Sequence, residues 1–444
     1  MISLDPGLVA ILMLGGIFVG VFLGFPLALS VGGVGIVIGL LLFGPTVASE
    51  LYYGRFFSGL ENYVLLAVPM FIFMDTMLEH SGVAEGMYDA LYLAFGGIRG
   101  GLAVTTVLIG TVLAACVGII GASVTMLALI ALPAMINRGY DRGLAAGAVA
   151  GGGSLGILIP PSVMLVVYGP MANLSVGKLF FGAFMPGFML SGLYIGYIVI
   201  RCIVQPNLAP PVPASDRAVP KAVILGKLVK SMVPPTILIL AVLGSIFLGI
   251  AAPTEAAGVG ALAATLLALG YRRLDWKVLK ATAMGTVRTS GMVLLIGAMA
   301  FAFVGVFMRA NCDNVVSDFL LAAPGGKWGM FGIVMFICFL LGFLIDWLGI
   351  IFIMVPIITP VAAAAGFDSL WFAMMICVNL QMSFMTPPFA YALFYIKGAV
   401  DPALNVTTAD IIRGMVPYVF LIVIGLSLCI IFPQIILWLP SMML

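Results

Sequence analysis

What limits this chain most is a succession of apolar runs, each about as long as a lipid bilayer is thick. A transmembrane helix needs about 20 predominantly apolar residues. Such runs fall at about 7–23, 27–44, 62–80, 143–172 and 178–203, and again at about 231–250, 254–271, 288–308, 369–397 and 411–438. Only 8% of the 444 residues are charged, where a soluble domain carries roughly 25%. So few charges cannot cover a water-exposed globule. The chain reads as an all-α polytopic membrane protein, and a soluble enzyme, a nucleic-acid binder and a disulfide scaffold are excluded. The six cysteines lack any CxxC and lie mostly in apolar runs, as small packing residues do. His80 is the only histidine, so no histidine-based metal site exists.

Two stretches are too long for one crossing and too broken for two. Residues 101–137 would measure about 55 Å as one helix, against a hydrocarbon core of about 30 Å. They are interrupted at Gly118-Ile119-Ile120-Gly121-Ala122-Ser123, which leaves a short second limb and predicts a re-entrant hairpin. Residues 327–365 have the same character, broken around Asp346-Trp347-Leu348-Gly349. With the N-terminus outside, all but four of the 19 Lys and Arg fall on the cytoplasmic side, the exceptions being Arg55, Lys178, Arg309 and Lys327. Both termini are then expected outside. No Lys or Arg precedes Arg55, so the first run is not expected to be a cleavable signal.

Compared with itself at an offset of 227 residues, the chain pairs its special backbone residues. Pro26 meets Pro253, Pro133 meets Pro360, Gly139 meets Gly366, Asp141 meets Asp368, and Pro160-Pro161 meets Pro387-Pro388. The expected organisation is a first repeat at 1–204, a proline-rich cytoplasmic linker at 205–230, and a second repeat at 231–444. Each repeat has five net crossings plus one hairpin, an odd number, so the second enters the membrane upside down. The segments 46–60 and 273–284 occupy matching places and are expected to be amphipathic helices along opposite interfaces.

In lipid, a broken helix at mid-depth persists only where it lines a site. The chain has four breaks in two matched pairs: Gly118–Ser123 with 154–161, and Asp346–Gly349 with 379–388. Tandem prolines free carbonyls by removing donors. Freed carbonyls and hydroxyls suit a hard cation such as sodium, and half-helix N-termini attract an anion. Asp346, inside an apolar run, is either a site carboxylate or a cap at a helix start. Glu255 is read as a stabilising first-turn carboxylate, and Asp75, one turn before Glu79 and His80, as interfacial. No HExxH or P-loop is present, which argues against a zinc protease or an ATP-driven pump.

The segments Leu66-Ala67-Val68-Pro69-Met70-Phe71, Gly139-Tyr140-Asp141, Leu155-Gly156-Ile157-Leu158-Ile159-Pro160-Pro161-Ser162, Pro253-Thr254-Glu255-Ala256-Ala257 and Thr386-Pro387-Pro388 resemble the large membrane subunit of tripartite ATP-independent periplasmic (TRAP) transporters. The resemblance covers essentially the whole chain. It implies a sodium-driven importer in the bacterial inner membrane, with an elevator-like movement of the hairpin-bearing part. It also implies two partners: a small four-helix membrane subunit and a periplasmic binding protein that delivers an organic acid. Sodium ions are then the coupling ions and no cofactor is needed. Carried onto this chain, a first sodium site would use Gly118, Gly121, Ser123, Ser154, Gly156 and Pro160. A second would use Asp346, Gly349, Asn379, Ser383 and Thr386. Substrate would lie between the tips, at Ser123, Asp346, Gln381 and Thr386. The first tip departs from the family in having a single serine. A self-sufficient dicarboxylate or ion carrier, or proton coupling through Asp346, are the alternatives.

Overall fold

The structure, a computed structural model, describes all residues except 1–3, 116–117, 119, 214–218, 388–389 and 444. Cys116, Ile119 of the first break, Arg217 of the linker and Pro388 of the second proline pair therefore lie outside the described residues. The fold is almost wholly helical. Eight helices among the described residues are long and apolar enough to cross a membrane.

The two expected hairpins have clear helical limbs. Helix Gly101–Ala114 is followed by Ile120–Ile136, and Gly326–Leu341 by Trp347–Ala364. Each pair folds back on itself, so that the far ends meet. The Leu102 N–H donates to Tyr140 Oη at 3.2 Å, and the rings of Trp328 and Phe367 lie 5.5 Å apart. The first break falls earlier than the sequence suggests, so Ser123 sits in the first turn of a 17-residue limb rather than in the loop. The stretches 143–172 and 369–397 are each split. Arg142–Ser154 resumes as Val163–Ala172, and Ser369–Ser383 as Tyr391–Ala399, with the prolines in the gaps.

Helix starts recur 227 residues on: 120 and 347, 142 and 369, and 163 and 391 to within one residue. The local chemistry recurs too. Gly139 and Gly366 hold φ of +81° and +80°, a left-handed turn that glycine adopts without strain. Asp141 and Asp368 then cap the next helix, accepting the N–H of Leu144 and of Trp371, each at 2.8 Å.

The segments outside the hairpins differ from expectation in part. Segment 46–60 is, as expected, a helix set off from the run before it by a kink, but it folds back on that run. Gly44, at φ +77°, turns the chain within Leu27–Leu60, and Tyr52 Oη donates back to the Gly32 carbonyl at 3.1 Å. Residues 276–284 are the start of the 34-residue helix Trp276–Arg309, about 51 Å long, because neither proline nor a cap interrupts it. Leu27–Leu60 lies along Trp276–Arg309. A Cβ at Gly35 would sit 3.2 Å from Phe303 Cα, and one at Gly39 3.3 Å from Val306, so the backbones approach closely. Short helices at Val83–Phe95 and Cys312–Leu321 had no counterpart in the apolar runs.

Candidate functional site

The hairpin tips and the broken helices converge by two different means. In the first half the contact is glycine against backbone. A Cβ at Gly110 would lie 2.5 Å from the Gly152 carbonyl oxygen, and one at Gly153 2.9 Å from Val124 Cα. The second contact sets Val124, next to Ser123 of the hairpin, against Gly153, next to Ser154 of the broken helix. Both serines are fully buried, and Ser154 Oγ donates to the Gly151 carbonyl at 2.9 Å. Gly156 falls in the single 3-10 turn Leu155–Ile157, after which the chain leaves helix until Val163. Pro160 lies in that gap, at a cis peptide bond with Pro161.

In the second half the contact is made by side chains. Asn379 Nδ2 donates to the Met335 carbonyl at 2.8 Å, tying the broken helix to the first hairpin limb. Ser383 abuts Gly342, where no side chain would fit. Among the described residues its buried Oγ has no hydrogen-bond partner, and neither amide atom of Gln381 has one. Unsatisfied buried polar atoms need an explanation, and a ligand between tip and helix is one. Thr386 Oγ1 donates to Met382 O at 2.7 Å, in the gap between the half-helices. Gly349 faces Leu27, whose Cδ2 lies 2.7 Å from where a Cβ would stand, so closeness of packing accounts for this glycine. Asp346 is the N-cap of Trp347–Ala364, its Oδ1 accepting the Trp347 N–H at 2.9 Å.

Between the tips lies a cavity of about 270 Å³. The first hairpin contributes Ile120 and Gly121, and the second Asp346, Trp347 and Leu348. The second broken helix adds Phe384, Tyr391 and Tyr395, the first adds Val163, and Ile72, Thr289, Met292 and Val293 close it from other helices. Gly121 is confined by Tyr395, whose ring carbon would stand 2.9 Å from a Cβ. Among the residues proposed for substrate, Asp346 lines this cavity; Ser123, Gln381 and Thr386 do not. The two tyrosines and Trp347 were not foreseen. The signal that could have found them is their place just after each break, where a half-helix must begin.

Asp75 corrects the sequence reading outright. It is not interfacial but 2% exposed, and its Oδ2 accepts the N–H of Gly118 at 2.8 Å. Its place inside the run 62–80 was the available signal, since an intramembrane carboxylate is a functional candidate by default. Glu255 behaves as expected, its carboxylate accepting the Ala252 N–H at 2.9 Å in a helix-start box.

Residues 14–435 match the family described as the tripartite ATP-independent periplasmic transporter, DctM component. The chain is 30% identical over 407 residues to the C4-dicarboxylate TRAP transporter large permease protein DctM of Pseudomonas aeruginosa, covering 90% of this chain and 92% of that one. It is 28% identical to the sialic acid TRAP transporter large permease protein SiaM of Vibrio cholerae, covering 97% of each. Among solved structures, it shares the fold of the Alcanivorax borkumensis YdaH transporter, with a TM-score of 0.64 and 14% identity over 89% of this chain and 91% of that one.

Proposed function

Because the chain belongs to the tripartite ATP-independent periplasmic transporters, as their large permease component, we propose that it imports a small organic acid on a sodium gradient. The observation that carries this reading is the cavity walled by both hairpin tips and the second halves of both broken helices. It is small, enclosed by apolar and aromatic side chains, and has one carboxylate, Asp346, in its wall.

That carboxylate makes coupling a physical requirement for an anionic substrate. Among the described residues, no Lys or Arg lines the cavity. Two like charges 4 Å apart repel by about 4 kcal/mol at an effective dielectric constant of 20. A cation held at the second tip by Asp346, the free Ser383 Oγ and nearby carbonyls removes this repulsion, so cation and acid bind together better than either does alone. Gly118, Gly121, Ser123, Ser154, Gly156 and Pro160 form the corresponding site at the first tip. Sodium suits these oxygen donors.

In this reading the two halves are inverted repeats of a bacterial inner-membrane permease. The hairpins with their broken helices move as an elevator against the packed pair Leu27–Leu60 and Trp276–Arg309. A four-helix membrane subunit and a periplasmic binding protein complete the transporter.

The test is uptake of a panel of labelled organic acids into proteoliposomes holding this chain alone or with both partners, under an imposed sodium or proton gradient. Uptake that needs all three components and sodium is expected. Uptake by this chain alone would make it a self-sufficient carrier, and a proton-only response would move coupling to Asp346 as a proton acceptor.

A further inference from the structure

The two hairpin tips obtain negative charge differently. In the second half Asp346 belongs to the tip itself. The position paired with it at the 227-residue offset is Ile119, and all six residues assigned to the first site are neutral. Yet a carboxylate does reach the first tip, from another helix. Asp75, on Ala67–His80, accepts the N–H of Gly118, the residue next to position 119. The position paired with Asp75 is Ala302, buried and apolar. Each half therefore brings one carboxylate to its tip, from within the hairpin in one case and across from a neighbouring helix in the other.

The surroundings of Asp75 leave its charge unmet. Among the described residues its buried Oδ1 has no hydrogen-bond partner and no Lys or Arg pairs with it. A carboxylate is not kept in such a place unless something neutralises it. The contact is also tightly built. A Cβ at Gly118 would stand 3.0 Å from Asp75 Oδ2 and 3.1 Å from the backbone nitrogen of Val163, so the span, the tip and the second half of the broken helix meet at one glycine.

We propose that Asp75 supplies the negative charge of a monovalent-cation site at the first hairpin tip, the part Asp346 takes at the second. Oδ2 fixes the tip through Gly118, and Oδ1 is left for the cation alongside the freed carbonyls. The proposal rests on the cation-coupled reading above and adds to it a residue from outside the hairpins and broken helices.

The experiment uses the purified full chain and sodium alone as probe. The unfolding temperature is followed as sodium chloride replaces choline chloride at constant ionic strength, since a ligand of the folded state raises it by mass action. Asp75→Asn keeps an acceptor for the Gly118 N–H and removes the charge; at least tenfold more sodium is expected for half-maximal stabilisation. Asp75→Glu keeps the charge and should stay within about threefold of wild type. A merely structural hydrogen bond would give the reverse order, with the asparagine variant normal and the glutamate variant impaired. Asp75→Asn with a wild-type sodium titration overturns the proposal and leaves sodium coupling standing. Wild type without sodium-specific stabilisation overturns both. If Asp75→Asn does not fold, the glutamate variant decides: a sodium requirement raised tenfold overturns the proposal.

Discussion

The two junctions between hairpin and broken helix occupy paired positions and are built from opposite materials. Gly152 and Asn379 are 227 residues apart. The first lies against the backbone of Thr106 and Val107, with a Cβ position 3.1 Å from a carbonyl oxygen. The second reaches its hairpin with a side-chain amide. At this pair of positions the first junction is held by proximity and tolerates no bulk, whereas the second has room for a side chain and is held by its hydrogen bond. One backbone plan thus accepts two solutions, and only the backbone plan is shared.

The strongest way to break this comparison is to add bulk where the first junction has none. Gly110→Val should cost about 3 kcal/mol or more, because the clash is with backbone and cannot relax through a rotamer. Its partner position, Ile337, already bears a side chain, and Ile337→Val should cost only about 1 kcal/mol. Thermal unfolding and size-exclusion profiles of the two variants check this, and equal losses would contradict the contrast.

Next in size are the functional variants of the second tip. Asp346→Ala and Thr386→Ala should each reduce sodium-driven uptake below about a tenth of wild type while leaving the protein monodisperse. Wild-type sodium dependence in both would remove the second site from these residues.

Asn379→Ala sharpens the comparison from the other side. Losing a buried amide bond should cost about 2 kcal/mol, lowering the unfolding temperature by a few degrees without abolishing the fold. A loss as large as that of Gly110→Val would mean that the second junction is as intolerant as the first. The smallest effect is expected at Glu255→Gln, about 0.5 kcal/mol, because an exposed first-turn carboxylate contributes mainly through the helix dipole.

How far the sequence could be read follows the same division. Prolines and glycines announce backbone geometry locally, so the presence of the breaks and the pairing of Gly139 with Gly366 and of Asp141 with Asp368 were legible, while the exact start of the first hairpin's second limb was not. Hydropathy separated lipid-length runs from interrupted ones, but it could not see that Gly44 folds 45–60 back on its own span. Nor could it find the cavity wall. Tyr391 and Tyr395 face that wall because of where the second half-helix restarts, and Asp75 reaches Gly118 across 43 positions of chain. Such contacts are set by packing between helices, which no local pattern encodes.

The close approach of Leu27–Leu60 to Trp276–Arg309 has a practical consequence. With Gly35 and Gly39 set against Phe303 and Val306, these helices interlock and cannot slide without separating. A pair of spin labels spanning them should keep one narrow distance distribution with or without sodium. That invariant provides the ruler against which a third label, on either hairpin, can be read as displacement rather than as a change of shape of the whole protein.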